Sequence, residues 1–295
     1  MKTKLSIINC QLSIVNCPLS IVHCLLSIVN CPLCIVLCAL LLLAGCSKKP
    51  RHTFTDLVKL PMTPVKDQGK RQLCWAYAML ATIETEHLLR GDSVNLSAVY
   101  IDRVLPDYQS SKFKVQSSKF NERAMCQTLL NIIGRYGIVP YDVLPDDASD
   151  RMPTPRWVFM LGARYTPQEF AHSVCAPDEY LSLTCFPDSP YYKKIVVPVP
   201  DNWEGNRMLN VPLDTLRRHV DRALRHRHPV CWESRGHAMS VVGMARDENR
   251  RPYYIMKNSW GSRGPYDGLA YMSVGKMWHD MIAIYMTDDA WEQGE

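Results

Sequence analysis

The chain has 295 residues, a formal net charge of +5 and 12 cysteines. A chain of this length buries a substantial core, as one large domain or as two lobes. The small charge excess gives no footprint for nucleic acid, and the apolar, weakly charged composition excludes a disordered chain. The cysteines are too few for a small disulfide-stapled scaffold.

The first 45 residues differ from the rest of the chain, since they hold six of the cysteines and only Lys2 and Lys4 as charges. From Leu5 a seven-residue unit repeats as LSIINCQ, LSIVNCP, LSIVHCL, LSIVNCP and LCIVLCA. Long apolar runs and two prolines argue against a coiled coil. The segment ends in Leu43-Ala44-Gly45-Cys46, which resembles the lipobox of bacterial lipoproteins.

This lipobox predicts a cleaved signal peptide over residues 1–45, acylation of Cys46 and a lipid-anchored tether over residues 46–61. The folded part would then lie at the cell envelope, bound to a membrane by lipid and facing the periplasm or the exterior. A signal peptide usually has about 15 to 30 residues, so the long leader indicates a translated tandem repeat or a start site upstream of a shorter signal. An uncleaved membrane anchor is the alternative, because roughly 20 apolar residues suffice to span a bilayer.

Three helices are predicted in the first half of the mature chain, each built of good helix formers and followed by a glycine or proline. They cover residues 74–89, 97–105 and 121–136, followed by Gly91, Pro106 and Gly137.

Short β-rich runs dominate beyond residue 185. They cover residues 194–199, 229–233, 238–244, 253–258, 269–273 and 281–286. One amphipathic helix interrupts them over residues 212–227, with apolar residues on one face and four arginines on the other. The basic face is either a solvated helix face or a contact with anionic lipid. Helices followed by strands predict an α+β fold of two lobes with a cleft between them.

Cys74 is the first residue of the predicted first helix, where the helix dipole and free backbone N–H groups favour a thiolate and lower the pKa of the thiol. Gln68 precedes it across a turn, so its side-chain amide and the Cys74 backbone N–H would form two donors for an oxyanion. A cysteine at a helix start is, taken alone, more often buried and inert.

A thiol nucleophile also needs a base and a group that orients the base. His237 starts the apolar strand AMSVVGM, and Asn258 ends the strand YYIMKN. If the two strands form an antiparallel hairpin, the start of one lies beside the end of the other, so His237 and Asn258 become neighbours. Each residue is also common at a strand end for purely structural reasons.

Three blocks of the sequence resemble the signature blocks of papain-like cysteine peptidases, family C1. They are Gln68…Cys74-Trp75-Ala76-Tyr77-Ala78, Gly236-His237-Ala238 and Lys257-Asn258-Ser259-Trp260-Gly261. Two further stretches, residues 136–145 and 212–232, are similar to the bleomycin hydrolase and aminopeptidase C branch. The resemblance implies a papain-like domain over residues 62–290, with a helical N-terminal lobe, a β-barrel-like C-terminal lobe and an active site in the cleft.

The resemblance also implies a role for each site residue. Cys74 would be the nucleophile, His237 the general base and acid, and Asn258 the group that orients His237. Gln68 would donate to the oxyanion, Trp260 would shield the Asn258–His237 hydrogen bond, and Trp75 would support the nucleophile. The implied reaction is hydrolysis of a peptide or protein substrate, without a metal or an organic cofactor.

The chain departs from the family pattern in three places. Arg71-Gln72-Leu73 replaces Cys-Gly-Ser before the nucleophile, only residues 233–236 separate the preceding strand from His237, and the C-terminal arm is reduced to residues 287–295. A more open cleft is therefore expected. Two alternatives to hydrolysis remain: a catalytically silent lipoprotein that binds a peptide or a partner protein in the cleft, and acyl transfer to an amine.

The remaining cysteines and histidines carry weaker signals. Cys175 and Cys185 bracket a proline-rich loop and would pair or remain free. His226 and His228 lack partners at metal-ligand spacing, so no metal site is predicted.

Overall fold

The computed structural model describes residues 52–113, 122–176 and 178–292, all within one compact unit that spans residues 50–295. The predicted leader, Cys46 and the first residues of the predicted tether lie outside the described residues, so these assignments stay predictions. Within the described ranges, none of the helices combines the length and the apolar character needed to cross a membrane.

Helices dominate the first half of the described chain, as predicted. They are α1 (Cys74–Arg90), α2 (Ala98–Phe113), α3 (Cys126–Tyr136) and the short α4 (Pro167–Ala171). Gly91 ends α1 in the left-handed conformation with φ 89°, which a residue without a Cβ adopts at little cost. Gly137 ends α3, as predicted.

The predicted end of the second helix at Pro106 is wrong, because α2 continues through the proline to Phe113. Proline removes one intrahelical hydrogen bond, but the free energy gained from tertiary packing can outweigh this loss. Buried residues lie on both sides of it: Leu105 precedes Pro106 and Tyr108 follows. The Tyr108 hydroxyl also donates to Glu204, which anchors the second half of α2.

The third helix begins later than predicted, at Cys126 rather than near residue 121. The backbone N–H of Cys126 donates to the Glu233 carboxylate at 3.2 Å. The first turn of α3 therefore finds its acceptor on a distant strand, which no local sequence pattern reveals.

Strands dominate the second half, as predicted, and eleven are described. They are β1 (Phe54–Lys59), β2 (Val158–Met160), β3 (Ala163–Tyr165), β4 (Tyr180–Thr184), β5 (Lys194–Val196), β6 (Arg207–Asn210), β7 (Val230–Ser234), β8 (His237–Asp247), β9 (Pro252–Lys257), β10 (Leu269–Ser273) and β11 (Met281–Thr287). Three helices complete the fold: α5 (Leu213–Arg225), α6 (Val274–Asp280) and α7 (Asp288–Glu292).

Nine of these strands form one mixed sheet in the order β10-β9-β8-β7-β11-β4-β6-β5, with β1 also paired to β8. All pairs are antiparallel except β4 with β6. Since β10 and β5 form the two ends of the described sheet, the C-terminal lobe is an open sheet and not a closed barrel. The hairpin of β8 and β9, which the sequence predicted, lies near one end of this sheet.

Strand β1 corrects the predicted tether. Residues 54–59 pair with the second half of β8, with Phe54 opposite Asp247 and Lys59 opposite Gly243. Flanking prolines and mixed polarity predicted an extended tether there, whereas backbone pairing along the free edge of β8 makes the segment part of the fold. The domain therefore includes β1 and begins before residue 62.

Two hydrophobic clusters form the interior. One is centred on α1, α2 and α3, and the other on α5 and the strands β7 to β11. Helix α1 packs directly against β8, so its first residue, Cys74, lies near the beginning of that strand. The predicted division into a helical part and a sheet part is confirmed, and the candidate site lies where they meet.

Candidate active site

Cys74 is the first helical residue of α1, and its side chain is only 8% exposed. The backbone N–H groups of Ala238, the residue after His237, and of Trp75 lie close enough to its sulfur to favour the thiolate and so act to lower the pKa of the thiol. Cys74 and His237 line the same small enclosed space. The structure therefore brings together the cysteine and the histidine that the sequence placed 163 positions apart.

His237 and Asn258 meet across the β8–β9 hairpin, as the antiparallel geometry predicted. The His237 Nε2 atom lies 3.0 Å from the Asn258 side-chain oxygen, which also accepts the backbone N–H of Ser259 at 2.8 Å. Because an amide oxygen accepts only, Nε2 carries the proton. In the neutral imidazole, Nδ1 is then the nitrogen free to accept a proton.

Trp260 covers the imidazole. Its indole stacks on the His237 ring with centroids 4.8 Å apart and planes 24° apart, while 60% of the Trp260 side chain stays exposed. The residue is held by a bridge to Asp67 and by the neighbouring Gly261 N–H, which donates to the Lys66 carbonyl. The indole therefore lies against the imidazole whose hydrogen bond to Asn258 it was predicted to shield.

Gln68 is buried, and both ends of its amide are held. Its oxygen accepts the Ser259 hydroxyl at 2.6 Å, and its Nε2 donates to the Arg71 carbonyl at 2.7 Å. An amide nitrogen carries two hydrogens, so one N–H remains for a substrate oxygen. Ser259 follows Asn258, so the candidate oxyanion donor is tied to the same strand end as the residue that orients His237.

Lys257, directly before Asn258, anchors the end of β9 to α1. Its ammonium donates to the Thr63 hydroxyl at 2.7 Å and lies 3.8 Å from the Glu84 carboxylate of α1. Burial lowers the pKa of Lys257 to about 8. Glu84 also accepts from Lys66 and Thr63, so a buried polar network fixes the strand end that carries Asn258 against the helix that carries Cys74.

Trp75 follows Cys74 and is almost completely buried. Its indole N–H donates to the Glu122 carbonyl at 2.8 Å. This contact holds the segment before α3 next to the start of α1.

Three charged residues at the site were not predicted: Arg123, Asp201 and Glu233. The Arg123 guanidinium contacts Asp201 through Nε and Nη2, the latter at 2.6 Å, and donates to the Gly236 carbonyl at 3.3 Å. It therefore joins the segment before α3 to the turn before His237. Only Glu233 could have been noticed from the local sequence, because it places a charge inside the otherwise largely apolar run VCWES.

Glu233 is buried beside the cysteine. Its carboxylate accepts the Tyr285 hydroxyl at 2.7 Å as well as the Cys126 N–H. Burial is the main cause that raises the pKa of Glu233 to about 7, and the nearby Asp201 acts in the same direction.

The predicted lowering of the thiol pKa is wrong. Burial raises the pKa of Cys74 above its ordinary value, outweighing the opposing Ala238 N–H and Arg123 guanidinium. Burial also lowers the pKa of His237, against the hydrogen bond to Asn258. Both shifts favour the neutral thiol and the neutral imidazole over the thiolate–imidazolium pair.

The other described cysteines are free thiols, including Cys175 and Cys185. The sulfurs of Cys126 and Cys231 lie 3.5 Å apart in the core below the site. His228 does contact a carboxylate, since its Nδ1 lies 3.1 Å from Glu86. Even so, no group of three metal-ligating side chains occurs among the residues that the structure describes.

The chain is similar to known proteins in its fold and in part of its sequence. Residues 223–287 match the family model described as "Papain family cysteine protease". This range contains His237 and Asn258.

Among solved structures, PepW from Lactobacillus rhamnosis HN001 is similar over 90% of this chain and 90% of that chain, with 17% identity and a TM-score of 0.60. Procathepsin L 3 from the larval midgut of Tenebrio molitor is similar over 82% of this chain and 71% of that chain, with 19% identity and a TM-score of 0.49. The similarity to PepW, together with the family match, confirms the predicted papain-like α+β fold.

Proposed function

We propose that the protein is a cysteine peptidase that hydrolyses peptide bonds through an acyl-enzyme on Cys74. The observation that carries this proposal is that Cys74 and His237 line one small enclosed space while the imidazole of His237 is hydrogen-bonded to the Asn258 side chain. The Ala238 N–H favours the Cys74 thiolate, and the adjacent His237 donates to Asn258. The family match over residues 223–287 points to the same chemistry.

The first half of the reaction forms the acyl-enzyme. His237 Nδ1 takes the thiol proton, and the Cys74 thiolate attacks the carbonyl carbon of the scissile peptide bond. The developing oxyanion accepts from the free N–H of Gln68 and from the backbone N–H of Cys74, which as the first N–H of α1 has no intrahelical acceptor. His237 then gives its proton to the leaving amine as the C–N bond breaks.

The second half releases the acid. His237 Nδ1 takes a proton from a water molecule, the resulting hydroxide attacks the thioester, and the proton returns to the sulfur as the C–S bond breaks. Throughout, Asn258 holds the ring by Nε2–H, and Trp260 keeps solvent from that hydrogen bond.

We place the enzyme at the cell envelope, bound to a membrane by lipid on Cys46, because Leu43-Ala44-Gly45-Cys46 has the lipobox pattern. Within the papain-like fold we place it nearest the bleomycin hydrolase and aminopeptidase C branch, on the similarity of residues 136–145 and 212–232 to that branch.

Cleavage of a peptide library, read out by mass spectrometry, tests the proposed activity. The full chain should cut defined bonds, and Cys74→Ala should cut none. An amine added to the reaction distinguishes hydrolysis from acyl transfer by the mass of the product. If peptides bind but none is cut by the wild type, the silent binding lipoprotein replaces the proposal.

Site-resolved labelling tests the nucleophile itself. Iodoacetamide or an epoxide inhibitor should modify Cys74 faster than the other cysteines, and His237→Ala should slow this labelling. Cys185→Ser is the matched control, because Cys185 is the most exposed of the five described cysteines and its loss should leave the Cys74 rate unchanged. Equal Cys74 labelling in wild type and His237→Ala would contradict the assigned base.

A further inference from the structure

A second, larger cavity of about 490 Å³ borders the candidate active site. Gly236, which precedes His237, lines it, and Arg123, Asp201 and Ser234 line both this cavity and the enclosed space at Cys74. One wall is apolar and consists of Met125, Pro198, Val199, Pro200 and Ile282. The cavity is thus large enough for a side chain, and it shares three lining residues with the space at Cys74.

Most of the charge around this cavity is already compensated. Asp201 is held by Arg123 through both Nε and Nη2, and the same guanidinium donates to the Gly236 carbonyl. Glu233, in the adjoining space, is buried and accepts from Tyr285. Neither carboxylate is therefore a ready partner for a cation that enters the cavity.

The charge of Arg235, in contrast, is not compensated by a partner in the described part of the chain. It lines the cavity, is exposed, and forms no ion pair or side-chain hydrogen bond with any residue that the structure describes. A guanidinium offers paired donors that match the two oxygens of a carboxylate. The uncompensated charge at this cavity is therefore positive.

We propose that this cavity receives an acidic side chain of the peptide substrate and that Arg235 determines the preference. The inference rests on the proposed peptidase function, which it deepens by naming the substrate class. The methylene groups of a glutamate would pack on the apolar wall while its carboxylate binds Arg235. A lysine or arginine side chain would instead meet the uncompensated guanidinium of Arg235.

Peptide binding to the full chain with Cys74→Ala measures this preference without catalysis. A set of peptides carries Glu, Gln or Lys in turn at each position, and fluorescence anisotropy gives each Kd. One position should show Glu binding about fivefold more tightly than Gln, the size expected for a partly exposed charge pair. Arg235→Gln should remove this difference, and Arg235→Glu should reverse it in favour of Lys.

Arg246→Gln is the matched control, since Arg246 is exposed on β8 and does not line the cavity. It removes the same charge and should keep the full preference for Glu. Equal affinity for Glu and Gln at every position, or an unchanged preference in Arg235→Glu, overturns the inference. Cleavage of the same peptides by the wild type is scored separately, so selective binding without cleavage would contradict the peptidase activity and still support the pocket.

Discussion

The side-chain oxygen of Asn258 accepts the Nε2–H of His237 at 3.0 Å, although His237 begins β8 and Asn258 follows the end of β9. This contact decides which imidazole nitrogen is basic, because Nε2 keeps its proton and Nδ1 is left to exchange one. It also favours the protonated ring, since the hydrogen bond raises the pKa of His237 against the larger opposing effect of burial.

Replacement of Asn258 should therefore move the pKa of His237 in a direction set by the new side chain. Asn258→Ala removes the acceptor and should lower the pKa of His237 further, whereas Asn258→Asp adds a negative charge and should raise it. An NMR titration of the His237 ring gives both values. Asn258→Ala should also reduce kcat/KM by about 10- to 100-fold, because the ring loses its orientation. Shifts of the same sign in both variants would refute this role.

Removal of the Trp260 indole should affect the site much more than the fold. Trp260→Ala exposes the His237–Asn258 hydrogen bond to water, so exchange of the Nε2 proton should accelerate and kcat/KM should fall. The indole is largely exposed, so the free energy of unfolding should change by about 1 kcal/mol or less. Trp157→Ala, at another exposed tryptophan, is the control and should leave Nε2 exchange unchanged.

The residues of the candidate site could be predicted because local patterns marked them. Helix α1 starts at Cys74 and ends before Gly91, and the β8–β9 hairpin pairs residues close in sequence. Such short-range rules brought His237 to Asn258 without knowledge of the rest of the fold.

The charged surroundings of the site could not be predicted, because their partners are distant in sequence. Arg123 binds Asp201 from 78 positions away, and Glu233 accepts the first N–H of α3 from 107 positions away. The same holds for β1, whose strand character depends on the edge of β8. The pKa of Cys74 depended on a balance between burial and donors that only the folded site reveals.

Glu233 should make the stability of the protein depend on pH. Its pKa rises from an ordinary 4.5 to about 7 on folding, so between these values the folded state holds more protons than the unfolded state. Stability from this group is full below pH 4.5 and is lost as the pH rises through about 7. The shift corresponds to about 3 kcal/mol at about 1.4 kcal/mol per pH unit.

Glu233→Gln tests this linkage, since glutamine cannot ionise and its oxygen still accepts from Tyr285 and Cys126. The variant should gain stability relative to wild type as the pH rises from 4.5 to 8, as measured by urea unfolding at each pH. The control is Glu292→Gln at the exposed end of α7, which should show no such gain over that range. A constant difference between wild type and Glu233→Gln would contradict the pKa assigned to the buried carboxyl.

A substitution at Gly243 tests whether β1 is an integral strand of the sheet rather than a tether. A Cβ at Gly243 would lie 2.2 Å from the Val58 carbonyl oxygen, so an alanine there must push β1 away from β8. Gly243→Ala should therefore lower the free energy of unfolding by about 2 to 3 kcal/mol and speed hydrogen exchange in β1. Gly275→Ala in α6 meets no atom within 4 Å and should be neutral or stabilising by up to about 1 kcal/mol, because alanine favours the helix. If Gly243→Ala were as stable as wild type with β1 exchange unchanged, the close packing of β1 on β8 would be wrong, and residues 54–59 would return to the tether that the sequence predicted.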